Sequence, residues 1–155
     1  MKSVLFVCLG NICRSPTAHG VFQAMVNEQG LDSQIFVDSA GTAAYHIGNA
    51  PDHRSTQVAL SRGYDLADLR ARQAVEDDFH RFDYIMAMDH SNLNNLKSLM
   101  PVNYTGHLNL FLDYTDMPES EVPDPYYGGD SGFEHVLDLV ESASRGLLEQ
   151  IKKEM

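Results

Sequence analysis

Cys8 and Arg14 bracket five residues, Leu9, Gly10, Asn11, Ile12 and Cys13, and Ser15-Pro16 follows at once. A short apolar run, residues 3–7, delivers the Cys8 thiol onto this loop. Thiols become nucleophiles as thiolates, which cations and helix N-termini favour. Successive N–H groups in a tight loop that opens a helix form a concave anion site. Arg14 adds a planar fork that can hold two oxygens at once. Phosphate has the shape and charge for such a cradle, so Leu9, Gly10, Asn11, Ile12, Cys13, Arg14 and Ser15 are the expected phosphate-binding positions and Cys8 the attacking group. Loop amides and Arg14 supply the electrostatic stabilisation, and no metal or other cofactor is expected. A cysteine ending a strand can also be a small core residue; the loop and Arg14 around it favour catalysis.

Displacing an alkoxide or phenolate also needs a proton donor on a loop at the same edge. Asp124, between Pro123 and Pro125, is the best-placed carboxylate. It could protonate the leaving oxygen and then deprotonate the water that hydrolyses a cysteinyl-phosphate. Pro-Asp-Pro is equally a turn with a solvated aspartate, and spacing alone leaves both readings open.

The elements that must position these groups alternate. Residues 3–7 form a short apolar strand, with no room for a helix before Gly10. Ser15 as N-cap and Pro16 as first helical residue open a helix to about Gln29, stopped by Gly30, with Val21, Phe22, Met25 and Val26 on its core face. Residues 34–39 make a second strand, leading into a loop over 39–42. Asp52 caps a helix that ends at Gly63. A short helix is expected over 74–79, and a third strand over 83–88 with Asp89 at its end. A helix over 91–100 stops before Pro101, and a fourth strand covers 106–111. The long segment 113–130 has the length of a functional loop. The Ser131–Glu134 spacing is a capping box for a last helix reaching about Lys153. Strands alternating with helices predict a parallel sheet covered on both faces, with ligands at the carboxyl ends of its strands. That edge collects the Cys8 loop, Ser39, Asp89 and the segment 113–130.

The length of 155 residues suits one domain, residues 1–155, and no apolar run approaches the ~18 residues of a bilayer span. Lys2 and the apolar residues after it imitate a signal peptide, but Arg14 follows too soon and cleavage would discard the loop. Two cysteines are too few for a disulfide framework and suit reactive thiols in a reducing, cytoplasmic setting. A net charge of −11 argues against nucleic acid or membrane insertion. An anionic substrate must therefore be drawn by local donors, within a field that salt screens over ~8 Å. The seven histidines show no metal-ligand spacing.

Residues 8–16 (Cys-Leu-Gly-Asn-Ile-Cys-Arg-Ser-Pro), 38–42 (Asp-Ser-Ala-Gly-Thr), 88–92 (Met-Asp-His-Ser-Asn) and 124–129 (Asp-Pro-Tyr-Tyr-Gly-Gly) together resemble the low-molecular-weight protein tyrosine phosphatases, in order and spacing, over essentially the whole chain. The resemblance implies an α/β, flavodoxin-like three-layer sandwich with a four-stranded parallel sheet. It implies metal-independent hydrolysis of phosphotyrosine in proteins, releasing inorganic phosphate, by a monomer or weak homo-oligomer. Cys8 becomes the nucleophile, Arg14 the phosphate clamp and Asp124 the general acid. Ser15 would donate to the Cys8 sulfur, Asn11 would hold a left-handed turn with Ser39 supporting it, and Asp89 would orient Arg14. Cys13 would be a reversible disulfide partner that protects Cys8 from irreversible oxidation. Ile12, Tyr45, Tyr126 and Tyr127 would wall the substrate pocket.

Two positions depart from the family's commonest pattern. Tyr45 stands where many relatives have tryptophan, and Leu69 where relatives often place a histidine that supports the Asn11 network. Leucine cannot make that hydrogen bond, so another group or water must replace it. Two rivals share parts of this pattern. A thiol-dependent arsenate reductase would need cysteines after Cys13, and there are none. A non-catalytic phosphotyrosine-binding module would not need both Cys8 and Asp124.

Overall fold

A computed structural model describes residues 1–125 and 129–155, with the helical backbone alone at 129 and 130. Tyr126 and Tyr127, expected at the pocket wall, lie outside the described residues.

The apolar run near the N-terminus becomes β1 (Lys2–Cys8), whose Val4, Leu5, Phe6 and Val7 are wholly buried. A strand's period of two divides its side chains between two layers. Val4, Phe6 and Cys8 pack with Val21, Phe22 and Val26 of α1 (Arg14–Glu28) and with Leu137, Val140 and Leu147 of α5 (Gly129–Glu154). Leu5 and Val7 face the other side, against Phe79, Phe82 and Leu96. That second layer comprises α3 (Asp78–Arg81) and α4 (His90–Leu99), while α2 (His53–Ser61) packs with α1 and α5. Phe6 meets Phe22 and Phe111 edge-on at centroid distances of 5.5 and 5.0 Å.

β2 (Ile35–Gly41), β1, β3 (Tyr84–Ala87) and β4 (His107–Leu110) form one parallel sheet in the order β2-β1-β3-β4. This is the flavodoxin-like α/β sandwich. Chain order reverses between β1 and β3, the switch point where such sheets open a crevice beyond their carboxyl ends. The register sets Cys8 opposite Gly41 and Val7 opposite Ala87. The loop after β1, the segment after β2, Asp89 after β3 and the segment after β4 therefore share one edge.

Several boundaries differ from the sequence expectation, each for a local reason. Ser15 does not cap α1: the N-cap is Cys13, and Ser15 lies inside the first turn with its hydroxyl committed to Cys8 and Asn11. β2 runs on to Gly41, so Ser39 is a strand residue. The short helix falls at Asp78–Arg81, because the buried Asp78 carboxylate accepts from the Val75 N–H and draws the preceding residues into a turn. α5 begins two residues before Ser131. Asp52 does cap α2, accepting from the Arg54 N–H at 2.9 Å. Gly30 and Gly63 follow helices α1 and α2 with φ of 70° and 88°, which favour glycine. Among the described residues no helix is long and apolar enough to cross a membrane.

Candidate active site

β1 ends at Cys8, only 2% exposed, and the chain turns through Asn11 at φ 56°, in the left-handed region that asparagine tolerates. Three loop carbonyls are bound from outside. Thr42 N–H donates to Cys8 O at 2.9 Å, Ala43 N–H to Leu9 O at 2.9 Å, and Asp52 N–H to Ile12 O at 2.7 Å. No backbone N–H from Gly10 to Ser15 donates to a backbone carbonyl among the described residues. The carbonyls are thus tied to the scaffold and the N–H groups left for an anion, the arrangement of an anion nest at a helix start. Gly41 makes this close seating possible. A Cβ there would lie 2.7 Å from Leu9 O and 3.1 Å from Asn11 N.

Beneath the loop, Ser15 Oγ lies 3.0 Å from Cys8 Sγ and accepts from Asn11 Nδ2 at 2.7 Å. The hydroxyl hydrogen has two acceptors within reach, the Cys8 sulfur at 3.0 Å and Ala40 O at 3.4 Å, and a Cys8 thiolate, which can only accept, would take it. Asn11 Oδ1 accepts from the backbone N–H of Arg72 at 3.1 Å. That N–H answers the question raised by Leu69, three residues earlier: a backbone donor holds the asparagine. It also corrects the expectation for Ser39. The Ser39 hydroxyl pairs with His19 Nδ1 at 3.0 Å, and Asn11 is held by Arg72 and Ser15. Burial lowers the His19 pKa against the opposing pull of Asp38.

Arg14, the first residue of α1, is 4% exposed. Its Nη1 donates to Asp89 Oδ2 at 2.7 Å and to Val122 O at 3.1 Å. Burial opposes its charge, but Cys8, Asp89 and Asp124 together raise the guanidinium pKa above its ordinary value. Asp89 serves two partners, since its Oδ1 caps α4 by accepting from the Asn92 N–H at 2.7 Å. Cys13 is buried, and burial first, then the Asp52 charge, push its thiol up to about 12.

Above this floor is a cavity of about 140 Å³ lined by Leu9, Gly10, Ile12, Cys13, Arg14, Tyr45, His46 and Asp124. Asp124 is half-buried there, and Tyr45 is 77% exposed at the mouth. The structure thus brings together the Cys8 loop, Arg14, Asp89, Asp124 and Tyr45, while Ser39 stands behind with His19. Sequence reasoning missed His46, whose ring lies against Gly10, and Gly41. Gly41 had a signal, a glycine ending a strand beside the loop; His46 had none. A larger hollow of about 360 Å³, bordered by Lys2, Arg81 and His107, lies at the amino ends of the strands, remote from all of these groups.

Site and sheet together are those of a flavodoxin-like α/β fold with a thiol and an arginine gathered at its switch-point edge, and known proteins fix the family. Residues 3–155 match the family described as low molecular weight phosphotyrosine protein phosphatase. A putative low molecular weight protein-tyrosine-phosphatase of Synechocystis is 47% identical over 98% of both chains. The human low molecular weight phosphotyrosine protein phosphatase is 43% identical over 96% of this chain and 95% of its own length. The crystal structure of a protein tyrosine phosphatase from Entamoeba histolytica, with Hepes in its active site, superposes with a TM-score of 0.95 at 40% identity over 99% of both chains. The chain belongs to the low molecular weight protein-tyrosine phosphatases, and is by that membership a hydrolase.

Proposed function

We propose that this chain, as a single domain, hydrolyses phosphotyrosine in proteins, and simple aryl phosphates, through a cysteinyl-phosphate at Cys8. The phosphoryl oxygens enter the N–H groups of residues 9–15, and Arg14 holds two of them. The Cys8 sulfur attacks phosphorus as the bond to the phenolic oxygen breaks, and the Asp124 carboxyl gives that oxygen its proton. Water then attacks phosphorus, giving a proton to the Asp124 carboxylate as the S–P bond breaks, and inorganic phosphate leaves with the Cys8 thiolate restored. The Ser15 hydroxyl supports the sulfur's negative charge in both steps. Ile12 and Tyr45, with Tyr126 and Tyr127 as further candidates, flank the aryl ring. Donors of the chain meet the charge throughout, so no step calls for a cofactor. Cys13 is the assigned partner for reversible oxidation of Cys8, in keeping with a reducing cytoplasm and a monomer or weak homo-oligomer.

The observation that carries this reading is the loop between Cys8 and Arg14 whose Cys8, Leu9 and Ile12 carbonyls are tied outward while, among the described residues, no backbone carbonyl takes the N–H groups of residues 10–15. Hydrolysis of para-nitrophenyl phosphate in the presence of a chelator tests it. The unsubstituted protein turns over, and Cys8→Ser does not. Activity retained by Cys8→Ser, or none in the unsubstituted protein, overturns the reading.

A further inference from the structure

Asp124 must present its carboxyl to a leaving oxygen, yet it sits on a segment without regular structure. What fixes that segment lies just before it. Val122, wholly buried, donates its N–H to Met88 O at 2.8 Å, and its carbonyl accepts from Arg14 Nη1 at 3.1 Å. Glu121 reaches the same junction from outside. Its Oε2 accepts from the His90 backbone N–H at 2.7 Å and pairs with His90 Nδ1 at 2.9 Å. His90 is the first residue of α4, so the carboxylate also meets a helix N-terminus, where negative charge is favoured. The His90 N–H, foremost, and the His90 ring hold the Glu121 carboxyl below its usual range.

The chain from this anchor to Asp124 is stiff. Pro123 and Pro125 have φ fixed near −65°, and Val122 and Asp124 each precede a proline and are restricted in turn. Freeing residue 121 removes the outer support of the Val122 anchor, and what movement that allows is carried to Asp124 with few intervening torsions to absorb it. We propose that Glu121, through its hold on the first residue of α4, is a positioning residue for the proton donor Asp124. This rests on the reading of Asp124 as general acid. Glu121 touches neither the nucleophile nor the phosphate cradle, and Arg14 keeps Asp89 as its partner, so the loss of Glu121 shows in proton donation and not in phosphate binding. Exposed ion pairs contribute little individually; here the geometry matters more than the strength.

The test is a series of aryl phosphates with leaving groups from nitrophenol to phenol, with kcat/KM compared across it. In Glu121→Ala, kcat/KM falls by roughly 3- to 10-fold for phenyl phosphate, the range expected from losing about one hydrogen bond of ordinary net strength at an exposed site, and hardly for the nitrophenyl ester. The slope against leaving-group basicity steepens, while competitive inhibition by inorganic phosphate is unchanged. Glu121→Gln, whose amide oxygen can still accept from the His90 N–H, restores the original slope. In an Asp124→Asn background the Glu121→Ala change has no further effect on the slope. An unchanged slope, an equal loss for every leaving group, or a parallel loss of phosphate affinity overturns the assignment. Asp124→Asn alone separates the two failures: if it leaves the slope unaltered, the general-acid reading fails as well.

Discussion

Ser15 has one hydroxyl hydrogen and, with Asn11 donating to its oxygen, two acceptors within reach, Ala40 O and the Cys8 sulfur, which as a thiolate can only accept. Ser15→Ala removes the donor to the Cys8 sulfur, so kcat for para-nitrophenyl phosphate should fall about 10²-fold, as when one donor to a developing charge is lost. Steady-state kinetics with unchanged phosphate inhibition checks that the loop survives. Cys13 is tuned by its burial. With its thiol pushed up to about 12, it is almost wholly protonated at neutral pH. If Cys13 closes a disulfide onto oxidised Cys8, attack requires its thiolate, whose population grows tenfold per pH unit below that value. Disulfide formation after a pulse of peroxide should therefore accelerate from pH 7 to pH 9, measured by quenching with acid and mapping peptides. A rate flat over that range rejects Cys13 as the resolving thiol.

At the scale of elements, the site is a set of stitches between strand ends and helix starts. Asp89 binds α4 to Arg14 with one carboxylate, Oδ1 to the Asn92 N–H and Oδ2 to the guanidinium. Asp89→Ala leaves a buried cation unpaired and a helix uncapped, and should destabilise by about 3–5 kcal/mol in urea unfolding while weakening phosphate inhibition. Asp89→Asn keeps an acceptor for the cap and should recover part of that stability. Gly41 joins β2 to the loop by proximity alone. The atoms a methyl group would meet are backbone, not movable side chain. Gly41→Ala should cost about 1–3 kcal/mol of overpacking and lower kcat/KM by distorting the cradle. Wild-type kinetics from Gly41→Ala would show that the loop tolerates displacement.

The molecule as a whole carries −11, while the substrate proposed for its site is a dianion. Locally the N–H groups and Arg14 prevail, but the long-range field opposes the approach of acidic partners. Added salt shortens the screening length from about 10 Å at 0.1 M to about 3 Å at 1 M. For a phosphotyrosine peptide flanked by aspartates, kcat/KM should rise with ionic strength relative to the same peptide flanked by alanines. Equal salt dependence for both peptides would mean that the cradle's local field governs encounter.

What the sequence by itself determined are features encoded locally. The apolar run of β1, the stop at Gly30, the cap at Asp52 and the alternation of strand and helix each depend on residues within a turn or two. The parallel sheet and the edge that gathers Cys8, Asp89 and Asp124 follow from them. Tertiary structure alone decided how the loop is held. Asn11 is bound by the N–H of Arg72, 61 residues away, and a backbone donor is present at every non-proline residue, so no side-chain type announces it. Leu69 drew attention to a missing side chain when the replacement had none. Ser39 turned to His19, and Glu121 to the first N–H of α4, because pairings of this kind depend on register and crossing geometry. Those are set by packing among all the layers, and no stretch of sequence contains them.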